Sequence, residues 1–293
     1  MAGSKRGRDK GEEKREGSTK DQGERGLNSG DEDEEAAVGE GAVEEEGLLG
    51  NKGITLDTLK FLSWNVNGLN EKIKRNKIQK AIRNKKYDVI CFQETHIAKR
   101  HRHILVNKKL GVEFVNSDVN KKKGVVIYAK ERWEPKQICK DEEGRILGIQ
   151  LNFRGERINV VSVYAPNAKS TEFFGKLESM LLELEPYKLI LLGDWNGVPT
   201  PSIDRSENQR NANRGKLPNS FNELVENLDL IDIWRHRNPT TKQFTHYSEP
   251  HQSWGRIDQI WVTRAMVWRV KRCEILPRTL SDHCPLILEI KMN

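Results

Sequence analysis

The stretch Lys188 to Asn196, K-L-I-L-L-G-D-W-N, constrains this chain more than any other. Its four consecutive apolar residues, Leu189 to Leu192, read as a strand buried on both faces. Such a strand needs a layer of structure above it and another below. Gly193 ends the run. Asp194 and Asn196 stand two apart, so in extended chain they share a side and point into one cleft. A carboxylate and an amide at the mouth of a buried strand suit a site for a metal, a water or a phosphate. A strand followed by a polar turn fits the same letters equally well, and the rest of the chain has to decide.

The 293 residues suffice for one large domain or two small ones. Residues 1–56 hold no aromatic residue, 12 of the 23 glycines, and 9 Lys and Arg against 15 Asp and Glu, a net of −6. With the whole chain at +7, residues 57–293 carry +13. A segment so poor in apolar side chains cannot bury enough surface to offset its ordering entropy. The expectation is a disordered charged tail over 1–56 and one domain over 57–293. Lys5 to Arg15 allows a weak nuclear signal, and the acidic run Asp31 to Glu35 could compete with nucleic acid for the basic domain. No apolar stretch approaches membrane-span length and the N-terminus is hydrophilic, so neither membrane nor signal peptide is expected. The four cysteines, Cys91, Cys139, Cys273 and Cys284, show no paired spacing. They read as reduced thiols of a nuclear or cytoplasmic protein.

Along the domain, Leu59 to Val66 reads as a first strand. Asn70 is placed to cap a helix with Ile73, Ile78, Ala81 and Ile82 as its apolar side. Val89 to Phe92 and Gly124 to Ala129 follow as strands. Arg145–Phe153 and Arg157–Tyr164 form a hairpin turning at Arg154-Gly155, and a helix from Ser170 or Thr171 leads to the opening strand. Residues 197–216 read as a polar loop, and Leu217 to Asn227 as a helix. Phe244–Ser248, Arg256–Thr263, Val270–Leu276 and Pro285–Ile290 complete the strands. His101 and His103, among Lys and Arg with no acid at ligand spacing, read as surface. This pattern predicts a four-layer α/β sandwich: two packed, mostly antiparallel sheets flanked by helices.

Residues with catalytic chemistry recur where buried strands end: Asn65, Glu94, Tyr164, Asp194 with Asn196, Asp258, and Asp282 with His283. A shared rim explains the coincidence, although each residue alone could be a core or turn residue. Carboxylates are hard ligands suited to Mg²⁺ or Mn²⁺. A single His beside acids and amides fits in-line attack of water on a phosphodiester. The chain lacks a P-loop, H-E-x-x-H and G-x-S-x-G.

S-W-N-V-N-G-L, Q-E-T-H, Y-A-P-N, G-D-W-N, R-I-D-Q-I and L-S-D-H, in this order over 59–291, resemble the exonuclease–endonuclease–phosphatase superfamily. Within it, N-x-N-G-L-N at 65–70, I-D-R-S at 203–206, D-L-I-D-I at 229–233 and F-T-H-Y-S-E-P-H at 244–251 look like the apurinic-like endonuclease domain of long-interspersed-element (LINE) retrotransposons. The resemblance implies Glu94 as principal metal ligand, with Asn65 beside it and Asp282 near the metal. It implies that Asp194 orients or activates the water, that Asn196 and Tyr164 hold the scissile phosphate, and that His283 stabilises the transition state. Asp258 would fix the His283 tautomer. Thr245, Asn167 and Arg205 would line a DNA-facing rim, with Trp254 on a Ser248–Gly255 hairpin that reads minor-groove shape.

The chain also departs from that pattern. Asn67 stands where repair-type apurinic endonucleases carry an acid, which favours one bound cation. Thr245-His246-Tyr247 replaces their tryptophan-containing segment and weakens recognition of abasic sugars, and Gly255 replaces a serine common in the retroelement branch. Ending just past its last strand, the chain is expected to be a free-standing endonuclease domain, where a full retroelement protein would continue into a reverse transcriptase. The implied function is a Mg²⁺-dependent endonuclease, monomeric, that nicks double-stranded DNA to leave a 3′-hydroxyl and a 5′-phosphate. The alternatives are an apurinic repair endonuclease, or a catalytically inactive nucleic-acid-binding relic.

Overall fold

A computed structural model describes residues 57–168, 170–184, 188–206 and 215–292. The tail expected over 1–56 lies outside the described residues. From its first strand, β1 (Thr58–Asn65), the chain passes through α1 (Lys72–Arg83) to β2 (Val89–Gln93), β3 (Val112–Asn116) and β4 (Val125–Ala129). Then come β5 (Lys136–Lys140), β6 (Ile146–Phe153), β7 (Glu156–Tyr164), α2 (Ser170–Leu182) and β8 (Leu189–Asp194). The rest comprises α3 (Pro201–Asp204), α4 (Asn219–Asn227), β9 (Leu230–Asp232), α5 (Ile233–Arg237), β10 (His246–Ser248), β11 (Ser253–Gly255), β12 (Asp258–Thr263), β13 (Val270–Ile275) and β14 (Leu286–Lys291).

Two six-stranded sheets result, ordered β13-β14-β1-β2-β4-β3 and β5-β6-β7-β8-β12-β9. Each holds one parallel pair, β1 with β2 and β7 with β8, and both pairs are joined by a crossover helix; the other pairings are antiparallel. The opening stretch shows why the layers form. Ile190 and Leu192 of β8 pack between the sheets against residues such as Phe61, Cys91 and Ile127. Leu189 and Leu191 point to the opposite face, under Phe174 and Leu177 of α2 and Phe221 and Leu224 of α4. The outer face of the other sheet, with Trp64, Phe92 and Tyr128, is covered by Ile78 and Ile82 of α1 and by Ile97, Leu105 and Leu110. The sandwich therefore has four layers.

Arg154 (φ 52°) and Gly155 (φ 82°) make the β6–β7 turn in the left-handed region, as a two-residue hairpin requires. Four local expectations need correction. Asn70 does not cap α1: its Nδ2 donates to the His96 carbonyl at 2.7 Å, and Glu71 holds the cap position without a side-chain bond. Ile73 and Ala81 are not on the buried side: Ile73 is 61% exposed and Ala81 is exposed too. Strands β3, β5 and β9, which the sequence did not announce, form edges of the two sheets. A four-residue helix, α3, also forms inside the loop expected over 197–216.

At Gly193 the core leaves no room for a side chain. At φ +147°, a Cβ there would sit 1.9 Å from the Val163 carbonyl oxygen. Gly175, inside α2, has nothing within 4 Å of such a Cβ. Gly193→Ala is expected to lose about 3 kcal/mol or more in denaturant unfolding, from main-chain collision and strain. Gly175→Ala is expected to gain roughly 0.5–1 kcal/mol of helix propensity. Equal effects at the two positions would refute the packing described for β7 and β8.

Candidate active site

The strands deliver the site in register. Tyr164 of β7 and Asp258 of β12 both pair directly with Asp194 of β8. Asn65 closes β1 beside Gln93, and Glu94 follows at the end of β2. His283 comes from the segment before β14, held by a bridge to His246 and by its own carbonyl, which accepts from Trp64 Nε1 at 3.0 Å. Below the site the sheets are tied together, Gln93 Nε2 donating to Ser162 Oγ at 2.9 Å. Glu94 (φ 57°), His96 (φ 57°) and Asn196 (φ 49°) all adopt left-handed backbone without being glycine. Strain of this kind concentrates at sites whose surroundings over-determine them.

Ligating atoms of Glu94, Asp194 and His283 lie within 4.8 Å of one another. They form one wall of an open cavity of about 540 Å³ that Asn67, Tyr164, Asn167, Asn196, Arg205 and Asp282 also line. Asn65, fully buried, donates from Nδ2 to Glu94 Oε2 and to Asp194 Oδ2, each at 2.8 Å. Its Oδ1 accepts from the Asn67 amide at 2.9 Å. Asn65 thus orients both carboxylates as a donor, with its own oxygen turned to the main chain. Asn196 Nδ2 donates to the Ala165 carbonyl at 2.7 Å, and its amide N–H donates to Asp194 Oδ1 at 2.9 Å. That clamps the G-D-W-N and Y-A-P-N turns together. Asp258, behind His283, accepts from Nδ1 at 2.8 Å and leaves Nε2 for the cavity side.

Burial sets the electrostatics. It pushes Asp194 up, with Asp258 adding to the push, to about 7, against the opposing pull of His283 and of donors from Asn196 and Asn65. Burial alone would lower His283, but the charge and hydrogen bond of Asp258 raise it to about 10. Burial also opposes ionisation of Glu94; bonds from His96 and Asn65 outweigh it and hold the carboxyl below its ordinary value. Tyr164 stays protonated, raised by burial and then by Glu94 and Asp194. Asp282 is held low by His246, whose Nε2 stands 3.7 Å away.

These residues fit a hard divalent cation. Glu94 is held below its ordinary value and lines the cavity, and Asp194 is raised by burial and then by the Asp258 carboxylate, a repulsion that a cation beside it would relieve. Asp282 also lines the cavity, its carboxylate within 4.8 Å of a His283 ring nitrogen and bonded by Asn67 Nδ2 at 3.1 Å.

One of the expected DNA-facing residues sits elsewhere, and another stands on its expected hairpin outside the cavity. Thr245 is fully buried; its Oγ1 accepts from the amides of Ile257 and Asp258, both at 3.1 Å, and so braces the R-I-D segment from inside. Trp254 does not line the cavity. It is 36% exposed on the β10–β11 hairpin, against Tyr247 and beneath Arg278. Three residues without an assigned role also belong to the site. His96 bonds Glu94 Oε1 at 3.1 Å, His246 stacks on His283 with centroids 4.3 Å apart, and Lys74 Nζ donates to the Asn67 carbonyl at 2.7 Å. The adjacency of His96 and His246 to motif residues was their signal; Lys74 had none.

A sandwich of two six-stranded sheets with carboxylates, an amide and an imidazole at one end defines a class of phosphoester hydrolases, and comparison with known proteins agrees. Residues 62–283 match the endonuclease/exonuclease/phosphatase family, to which the chain belongs. It is 25% identical over 232 residues to a transposon TX1 protein of 149 kDa from Xenopus laevis, covering 77% of this chain and 17% of that protein. It is 26% identical over 263 residues to an exodeoxyribonuclease of Bacillus subtilis, covering 80% of this chain and all of that one. The fold matches the AP endonuclease LMAP from Leishmania major with a TM-score of 0.71 at 20% identity, over 80% of this chain and 88% of that one.

The buried Asp258–His283 pair makes stability depend on pH. A histidine whose pKa rises from about 6.5 unfolded to about 10 folded contributes fully below the lower value and loses that contribution as pH climbs to the upper. The melting temperature should therefore fall between those limits. His283→Gln should be less stable at low pH and should flatten the decline. Identical pH slopes for the two proteins would rule the linkage out.

Proposed function

We propose that this protein is a Mg²⁺-dependent DNA endonuclease of the retrotransposon type. The observation that carries the reading is the meeting of Glu94, Asp194 and His283 within 4.8 Å in a cavity open to solvent. Glu94 would hold the cation, Mg²⁺ or Mn²⁺, with Asp282 nearby. When bound, the cation supplies Lewis-acid charge at the phosphate. Asp194, fixed by Asn65 and the Asn196 amide, orients the attacking water and takes its proton. Tyr164, kept protonated, and Asn196 hold the phosphate. The His283 imidazolium, its tautomer set by Asp258, neutralises charge gathering on the phosphoryl oxygens. The leaving oxygen ends as a 3′-hydroxyl and the water oxygen stays on a 5′-phosphate.

A duplex is the fitting substrate. Asn167 and Arg205 line the cavity, and beside it the β10–β11 hairpin offers Trp254 and Arg278 to a minor groove. The kinship with a transposon protein supports the retroelement origin, and unpaired cysteines suit a reducing compartment, the nucleus or cytoplasm.

Nicking of supercoiled plasmid with Mg²⁺ tests the reading. Glu94→Gln, Asp194→Asn and His283→Ala should each slow nicking on the order of 10²–10⁴-fold, and EDTA should abolish it. Variants that nick like the parent would overturn the roles. Cleavage of an abasic duplex far faster than an intact one would instead make the protein an apurinic endonuclease.

A further inference from the structure

The positive charge of the domain is concentrated in one part of the chain. Residues 72–109 contain thirteen Lys and Arg against two acids, a net +11 of the +13 carried by residues 57–293. Both acids are occupied: Asp88 is buried and bonded by Arg132 and Trp133, and Glu94 belongs to the active site. Packing puts these cations on one face. Helix α1 and the 3₁₀ segment Lys99–Leu105 both cover the outer side of the first sheet, in one apolar cluster with Trp64, Phe92 and Tyr128. Their charged side chains face away from that cluster.

Several cations elsewhere are neutralised: Lys188 and Arg269 on Glu156, Arg235 and Arg256 on Asp204, Arg264 on Asp229. Among the described residues, Lys77, Lys80, Arg83 and Lys86 have no ion-pair partner, and neither do Lys99, Arg102 and Lys109; all seven are exposed. The face begins at the active site, where Lys74 bonds Asn67. It continues for the roughly 18 Å length of a 12-residue helix. Its far end is an open cleft of about 630 Å³ where Arg83, Lys86, Lys108, Lys130 and Arg132 gather beside two acids, Asp88, which Arg132 pairs, and Glu131.

We propose that this face is a second, sequence-independent track for a nucleic-acid backbone, which holds the substrate outside the catalytic cavity. Holding many like charges unpaired on one surface favours a polyanion with regularly spaced charge, and each phosphate engaged releases counterions. Such contacts position and carry no base information. The inference takes its ligand from the nuclease reading above, but binding tests it without cleavage.

The test uses the full chain with Lys77→Glu, Lys80→Glu, Arg83→Glu and Lys86→Glu together, and a duplex of roughly 60 base pairs. The slope of log affinity against log salt should become shallower by about 3. The single-turnover nicking rate at saturating protein should stay within about twofold of the parent. A second variant, with Lys99, Arg102 and Lys109 changed to Ala, should shift the slope in the same direction, and both should melt with the parent. Unchanged slopes would overturn the track and leave the face to an acidic protein partner. A rate that falls along with the affinity would overturn it too, by making the face part of the catalytic cavity. If the parent binds but never nicks, the nuclease reading fails while the slopes still decide the track.

Discussion

The amide of one buried asparagine holds the active end of this molecule together. Asn65 donates to Glu94 and to Asp194 at once, so two carboxylates that repel each other are fixed on one group. Removing carboxylates from water is costly unless donors or opposite charge replace the lost hydration. Here the replacements are Asn65, the Asn196 amide, His96 and the His283 imidazolium. The compensation for Asp194 is incomplete, and burial beside Asp258 leaves its carboxyl at about 7. A site tuned in that way favours any cation that enters it.

The scaffold is rigid where that tuning needs it. Tyr164, Asp194 and Asp258 lie side by side on three hydrogen-bonded strands, so their spacing is a property of sheet registry. One residue of slip in β8 would turn Asp194 toward the opposite face and bring Gly193 away from its close approach to Val163. His283 has no strand under it. It depends on Trp64 Nε1, on the bridge to His246, and on Ser281, whose hydroxyl donates to the Asn65 carbonyl at 2.8 Å. Both halves of the site are thereby locked to β1.

What could be read from the sequence follows the same division. Buried strands announce themselves by continuous apolar runs, so β2, β4 and β8 and the polar residues at their ends were legible. Edge strands β3 (V-E-F-V-N) and β5 (K-Q-I-C-K) mix apolar with polar residues and lie partly exposed, so no continuous apolar run marked them. Thr245 looked like a surface hydroxyl because nothing local shows that the R-I-D main chain folds over it. Asn70 had the right residue type for a cap, but the His96 carbonyl claimed its side chain. The orientation of the Asn65 amide is set by Glu94 and Asp194, 29 and 129 residues away. Side-chain direction at such a position is decided by tertiary structure alone.

Charge is divided between the site and the surface, and the division has a physical logic. The cavity is rich in carboxylates, which repel a phosphate backbone until a cation joins them. A polyanionic substrate therefore has to be drawn in by charge placed elsewhere. The unpaired cations of α1 and the Lys99–Leu105 segment supply that field from outside the cavity, on a helix whose first turn meets the cavity wall where Lys74 bonds Asn67. Crowding the same lysines around Asp194 and Glu94 would pair them with the carboxylates and quench both. Separating attraction from chemistry keeps the catalytic groups free for a metal and a water, and keeps the cations free for phosphate.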